Sequence, residues 1–150
     1  MEMTTKEKAS VLLNEFEQLD SLKGLQHQGL SHIPPQGNSG ERYEVYFSND
    51  KQRAVEFTFY PEEKGKPDYL VVYLIDEATD QDFSLDAWLQ KQGEYLDKSP
   101  FSLASYQGEF EEKVNSVARF INSCLLRPEL TEVLQGASWL DVQFNWGESR

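Results

Sequence analysis

Three stretches decide the fold class: Tyr43-Glu44-Val45-Tyr46-Phe47, Val55-Glu56-Phe57-Thr58-Phe59 and Tyr69-Leu70-Val71-Val72-Tyr73-Leu74-Ile75. The first two alternate with a period of two. Successive side chains of a strand point to opposite faces, so Tyr43, Val45 and Phe47 share one face, as do Val55, Phe57 and Phe59. If the two strands form a hairpin, both apolar sets must lie on the same buried face. A two-residue Asn49-Asp50 loop would pair Val45 with Ala54 and turn Val55 outward. A three- or five-residue loop pairs Val45 with Val55 and Tyr43 with Phe57, so the hydrophobic register selects an odd loop. That register sets Glu44 opposite Glu56 on the other face. The third stretch is apolar at every position, which reads as a central strand covered on both faces.

Helical patterns flank these strands. Ala9, Leu12, Leu13, Phe16 and Leu19 recur at helical spacing and predict a helix over Thr5–Leu19, capped by Thr4 or Thr5, with Gly24 beyond its end. A short extended piece near Leu25–Ile33 leads into a loop, because Pro34-Pro35 excludes helix. Ser84 caps a helix over Leu85–Gln92 that Gly93 stops. Phe110, Val114, Val117, Ala118, Ile121 and Leu125 line one face of a longer helix from about Gly108 to Leu126. Pro128 opens, and Gly136 closes, a further helix over Pro128–Gln135. Trp139, Val142, Phe144 and Trp146 suit a final strand or extended tail. The order of helix, strands and helices predicts an α+β fold: an antiparallel sheet of three or more strands, an N-terminal helix and a helical C-terminal half. A chain of 150 residues is expected to form one domain, 1–150, large enough to bury roughly 68–70% of its unfolded surface.

Aromatic residues make up 13% of the chain, so a substantial core is expected and an acidic disordered tail is not. Cys124 is the single cysteine, which excludes an intrachain disulfide and fits a reducing compartment. No basic segment followed by an apolar run marks a signal peptide, and no stretch approaches the ~20 apolar residues of a membrane span. The expectation is a cytoplasmic protein without membrane attachment.

The charge is strongly one-sided: 26 Asp+Glu against 14 Lys+Arg, a formal net charge of -12. Between Lys66 and Lys91 there is no basic residue, while Asp68, Asp76, Glu77, Asp80, Asp82 and Asp86 all fall inside the gap. Such a field raises the encounter rate with basic partners and argues against nucleic acid, whose phosphates need Lys and Arg. It equally describes an ordinary solvated surface. Asp80, Asp82, Ser84 and Asp86 follow the odd positions of a calcium loop, but Leu85 replaces its glycine and Lys91 its bidentate glutamate, so no metal is expected. Ser84 and Asp86 also serve the start of a helix. The Glu44/Glu56 pair would suit a retaining glycosidase only with a cleft and stacking aromatics around it. Arg42, diagonal to Glu56, is the plain structural counter-charge. His27 and His32 match no helix-based ligand spacing and read as exposed loop histidines. Cys124 reads as a small core residue. No phosphate loop or nucleophile elbow is present, and no cofactor is expected. The residues nominated for partner binding are Asp76, Glu77, Asp80, Asp82, Glu44 and Glu56.

The segments Phe83-Ser84-Leu85-Asp86-Ala87-Trp88-Leu89, Lys98-Ser99-Pro100-Phe101-Ser102-Leu103 and Asp141-Val142-Gln143-Phe144-Asn145-Trp146-Gly147 resemble those of small bacterial immunity proteins. These neutralise toxin domains of contact-dependent inhibition and related polymorphic toxin systems. The resemblance covers roughly the second half of the chain and assigns no binding residue, because that class spans many folds. It implies an inhibitor that occludes a cognate toxin, often a basic nuclease, stoichiometrically and without catalysis. The rivals are an acidic secretion chaperone holding an effector segment and a carboxylate-based hydrolase.

Overall fold

Both alternating stretches of the predicted hairpin become strands in the computed structural model, which describes residues 3–37, 40–94 and 99–140. Five strands, β1 (Gln26–Ile33), β2 (Arg42–Ser48), β3 (Arg53–Tyr60), β4 (Tyr69–Asp76) and β5 (Gln81–Ser84), form one antiparallel sheet in sequential order. Helices α1 (Thr5–Glu17), α2 (Leu85–Lys91), α3 (Phe110–Leu125) and α4 (Pro128–Leu134) complete the α+β fold.

The helices start where the capping chemistry says they should. Thr4 Oγ1 accepts from the Glu7 N–H at 3.1 Å while Glu7 accepts from the Thr4 N–H at 3.0 Å, so two otherwise orphaned donors are satisfied. Ser84 Oγ accepts from the Ala87 N–H at 3.0 Å. Gly93 and Gly136 follow α2 and α4 with φ of 74° and 78°, a conformation that costs glycine nothing.

The helices pack on one face of the sheet. Tyr43, Val45, Phe47, Val55, Phe57, Phe59, Leu70, Val72, Leu74 and Phe83 all join the helical residues in a single core. Phe57 stacks on Phe16 of α1 with ring centroids 4.0 Å apart, and Phe59 meets Phe110 of α3. Beyond the end of β5, residues Phe101–Leu103 take over the edge of β4: Leu70 N–H donates to Phe101 O and Leu103 N–H to Asp68 O, both at 3.0 Å.

The β2–β3 hairpin corrects the expected register. Val45 pairs with Phe57, Tyr43 with Phe59 and Phe47 with Val55. The loop is odd and both Val45 and Val55 are buried, so the parity holds. The pairing is nevertheless displaced by two residues, and Glu44 stands opposite Thr58, not Glu56. Alternation constrains only parity; the turn chooses among the odd registers. Asn49 Oδ1 accepts from the Lys51 and Arg53 N–H groups at 3.0 and 3.1 Å, the Asn49 N–H donates to Arg53 O, and Gln52 adopts φ 59°. This is a three-residue loop closed by a left-handed residue.

Two further expectations are corrected. β4 lies between β3 and β5, so β3 occupies the middle of the sheet, and β4 has helices on one face only among the described residues. Its outward Tyr69, Val71, Tyr73 and Ile75 are half-buried. His27 and His32 lie on an edge strand, not in a loop. Five residues apart, they would point to opposite faces, but a bulge between His27 and Gly29 restores the parity. Both rings then pack on the helical side, against Phe47 and Tyr43, with Glu17 and Glu41 at 3.5 and 2.7 Å. The expected tail strand lies outside the described residues except for Trp139 and Leu140. Trp139 packs against Phe83, with the Arg53 guanidinium over its ring at 5.1 Å.

Candidate functional site

The opposite face of the sheet carries no described helix, and alternation places a specific set of residues there. One cross-strand row runs Gly29, Tyr46, Glu56, Tyr73, Ser84; the next runs Ser31, Glu44, Thr58, Val71. Ile75 pairs with Ala54 and Asp82, and Tyr60 with Tyr69. Four tyrosines and the aliphatic side chains of Ile33, Val71 and Ile75 are thus half-buried on a face whose charged groups are Arg42, Glu44, Glu56 and Asp82. Ala54 and Thr58, at 0% and 3% exposure, lie beneath these larger neighbours in the middle strand.

Tyr46 reaches from β2 to the turn after β4, where its hydroxyl donates to Glu77 Oε2 at 2.8 Å. β3 lies between β2 and β4, so the two side chains meet across it. Burial and the Glu77 carboxylate push the Tyr46 hydroxyl far above its ordinary pKa, keeping it a neutral donor. Tyr73 is raised as well, by burial first and then by Tyr60, Asp82, Glu56 and Glu44.

Glu56 is the centre of this surface. Burial raises its pKa above the ordinary 4.5, the negative charges of Glu44 and Asp82 raise it further, and Arg42 opposes them. Arg42 is committed elsewhere: its Nε donates to Glu44 Oε2 at 3.1 Å. Glu44 and Glu56 are diagonal neighbours on one face, so they interact without being directly opposed. Glu56 accepts no hydrogen bond from any described residue.

The nominated residues separate into three groups. Glu44, Glu56 and Asp82 share the open face, and Glu77 joins them through Tyr46. Asp80 sits in the β4–β5 turn with φ 56°, exposed to solvent. Asp76 points the other way. It is 6% exposed, lies 3.5 Å from Arg53 Nε, and accepts from Thr79 Oγ1 and the Ala78 N–H. Its charge is therefore balanced inside the fold. Asp68 is balanced too, by Lys8 Nζ at 2.9 Å. Asp80, Asp82, Ser84 and Asp86 occupy a turn, a strand and a first helical turn in succession. Among the described residues no three His, Cys, Asp or Glu side chains converge on a metal position.

The tyrosines were not among the nominated residues. The signal was present in the alternation, since Tyr46 falls between the buried Val45 and Phe47, and Tyr69 and Tyr73 are in phase with each other. Reading β4 as covered on both faces concealed it. Cys124, at 0% exposure, is a core residue whose thiol burial pushes up to about 11. No described helix is long and apolar enough to cross a membrane. Set against models of known protein families, curated proteins and solved structures, the chain matches none.

Proposed function

We propose that this chain is an immunity-type protein that binds a basic bacterial toxin domain in the cytoplasm and neutralises it by stoichiometric occlusion. The open sheet face supports this reading. It combines rigid tyrosines, the kind of anchor that dominates binding energy at interfaces, with carboxylates that outnumber their counter-charge. Glu44, Glu56, Asp82 and Glu77 stand against Arg42, the one basic side chain among the strand residues of this face. Complementary charge steers encounter, and buried aromatic contacts slow dissociation.

The test uses a toxin encoded beside this reading frame. Its purified domain should bind the chain one to one, and its activity should fall to zero as the ratio reaches one. A toxin that stays active with the chain in excess, or no binding at all, overturns the reading.

A carboxylate-based hydrolase is the second reading. It is supported by the unequal environments of two neighbouring carboxylates, Glu44 held by Arg42 and Glu56 with its pKa raised. Glycoside hydrolysis abolished in both Glu44→Gln and Glu56→Gln would establish it. Such turnover by the wild-type chain alone is the deciding measurement.

A further inference from the structure

We infer that the open face receives an arginine side chain of its protein partner, seated over Glu56 between Tyr46 and Tyr73. This deepens the immunity reading and rests on it for the partner being a protein.

The cross-strand row sets the position. Tyr46 and Tyr73 are the direct neighbours of Glu56 on either side, with Cβ atoms roughly 4.5–5.5 Å away. A side chain descending on Glu56 therefore arrives between the two tyrosine positions. Tyr46 is tethered to Glu77 at 2.8 Å, so one wall of the seat is held before any partner arrives. Glu44 has Arg42, Asp76 has Arg53 and Asp68 has Lys8. Glu56, central and half-buried, has no hydrogen-bond donor among the described residues.

The chemistry selects the occupant. A guanidinium is planar, sheds water more readily than an ammonium, stacks on aromatic rings and donates forked hydrogen bonds to one carboxylate. Lysine offers a compact, strongly hydrated charge that uses the phenols less well. A second copy of this chain would bring Glu44, Glu56 and Asp82 against their own counterparts, a repulsive arrangement. Nucleic acid is repelled for the same reason. A divalent cation lacks converging ligands among the described residues.

The test titrates the full chain, isotopically labelled and at low salt, with Ac-Gly-Arg-Gly-amide and separately with Ac-Gly-Lys-Gly-amide. Backbone amide shifts report position and affinity. The arginine peptide should move residues 44–46, 56 and 73, and should bind about threefold or more tightly than the lysine peptide. Glu56→Gln should abolish that preference, and an unchanged amide spectrum away from the site would show the variant folded. Equal binding of the two peptides, shifts spread evenly over all acidic residues, no shifts with either peptide, or an undiminished preference in Glu56→Gln would each overturn the seat. None of these results touches whether the chain inhibits a toxin, which the one-to-one titration decides separately.

Discussion

On the helical side of the sheet, Val55, Phe57, Leu70 and Leu74 are at most 1% exposed; on the other side, Glu56, Val71 and Tyr73 of the same strands, and Tyr46 of β2, are only half-buried. Both faces carry large side chains, but their polar chemistry differs. On the covered side, Arg53 faces Asp76 and donates to Val133 O and Ser138 O at 2.6 and 2.7 Å, while its Nε and Asp86 Oδ1 find no hydrogen-bond partner among the described residues. On the open side, Glu56 accepts no hydrogen bond from any described residue, and Arg42, already bonded to Glu44, acts on it only by charge. A buried group without a partner is costly, which limits how many such groups the covered face can hold. The open face can keep unspent hydrogen-bonding capacity for a partner.

The strongest way to break this contrast is truncation on each side. Phe57→Ala removes a stacked core ring and should cost about 3–5 kcal/mol, whereas Val71→Ala should cost about 1 kcal/mol or less. Urea unfolding of both variants measures the difference; equal losses would mean the open face is as much a core as the other. A second pair tests the charges. Asp76→Ala leaves Arg53 buried without its counter-ion and should cost about 3 kcal/mol, while Asp82→Ala should stay within about 0.5 kcal/mol. A harmless Asp76→Ala would show that the Arg53 contacts to Val133 and Ser138 suffice.

Partner binding sharpens the comparison from the other side. With a cognate toxin in hand, Glu77→Lys combined with Asp82→Lys should slow association about tenfold and flatten its salt dependence, leaving thermal stability near wild type. Surface resonance at two ionic strengths reads this out. Unchanged association would assign the encounter to another surface.

The smallest expected effect concerns Glu56 and pH. Its pKa in the folded protein is raised above the ordinary 4.5. Between the two values the native chain keeps a proton that the unfolded chain has released. Stability therefore falls as pH rises through that window, and the loss persists above it. Glu56→Gln should match wild type in acid and be more stable by roughly 0.5 kcal/mol near neutrality, where the like-charge repulsion is removed. Denaturation midpoints below and above the window decide it, and a variant less stable at neutral pH would mean that Glu56 has a stabilising contact.

Local physics made much of this molecule legible in advance. Period-two alternation, the Thr4 and Ser84 caps, Pro128 and the glycines after α2 and α4 depend on residues a few positions apart. They sufficed for the α+β class, for the helix positions and for the odd hairpin loop. They also sufficed to put Glu44 and Glu56 on one face. Register was not accessible in this way, because all odd loops satisfy the alternation equally and the Asn49 turn chose between them. Nor was the bulge that brings His27 and His32 to one side.

The charge map belonged to tertiary structure alone. The cation-free interval from Lys66 to Lys91 is real in the sequence, yet Lys8 reaches Asp68 and Arg53 reaches Asp76 from outside it. Electrostatic pairing depends on distance through space, and folding brings Lys8 to Asp68 although sixty positions of chain separate them. What remained unbalanced was therefore not the interval itself but a face, assembled from strands β2 to β5, with Glu56 at its centre.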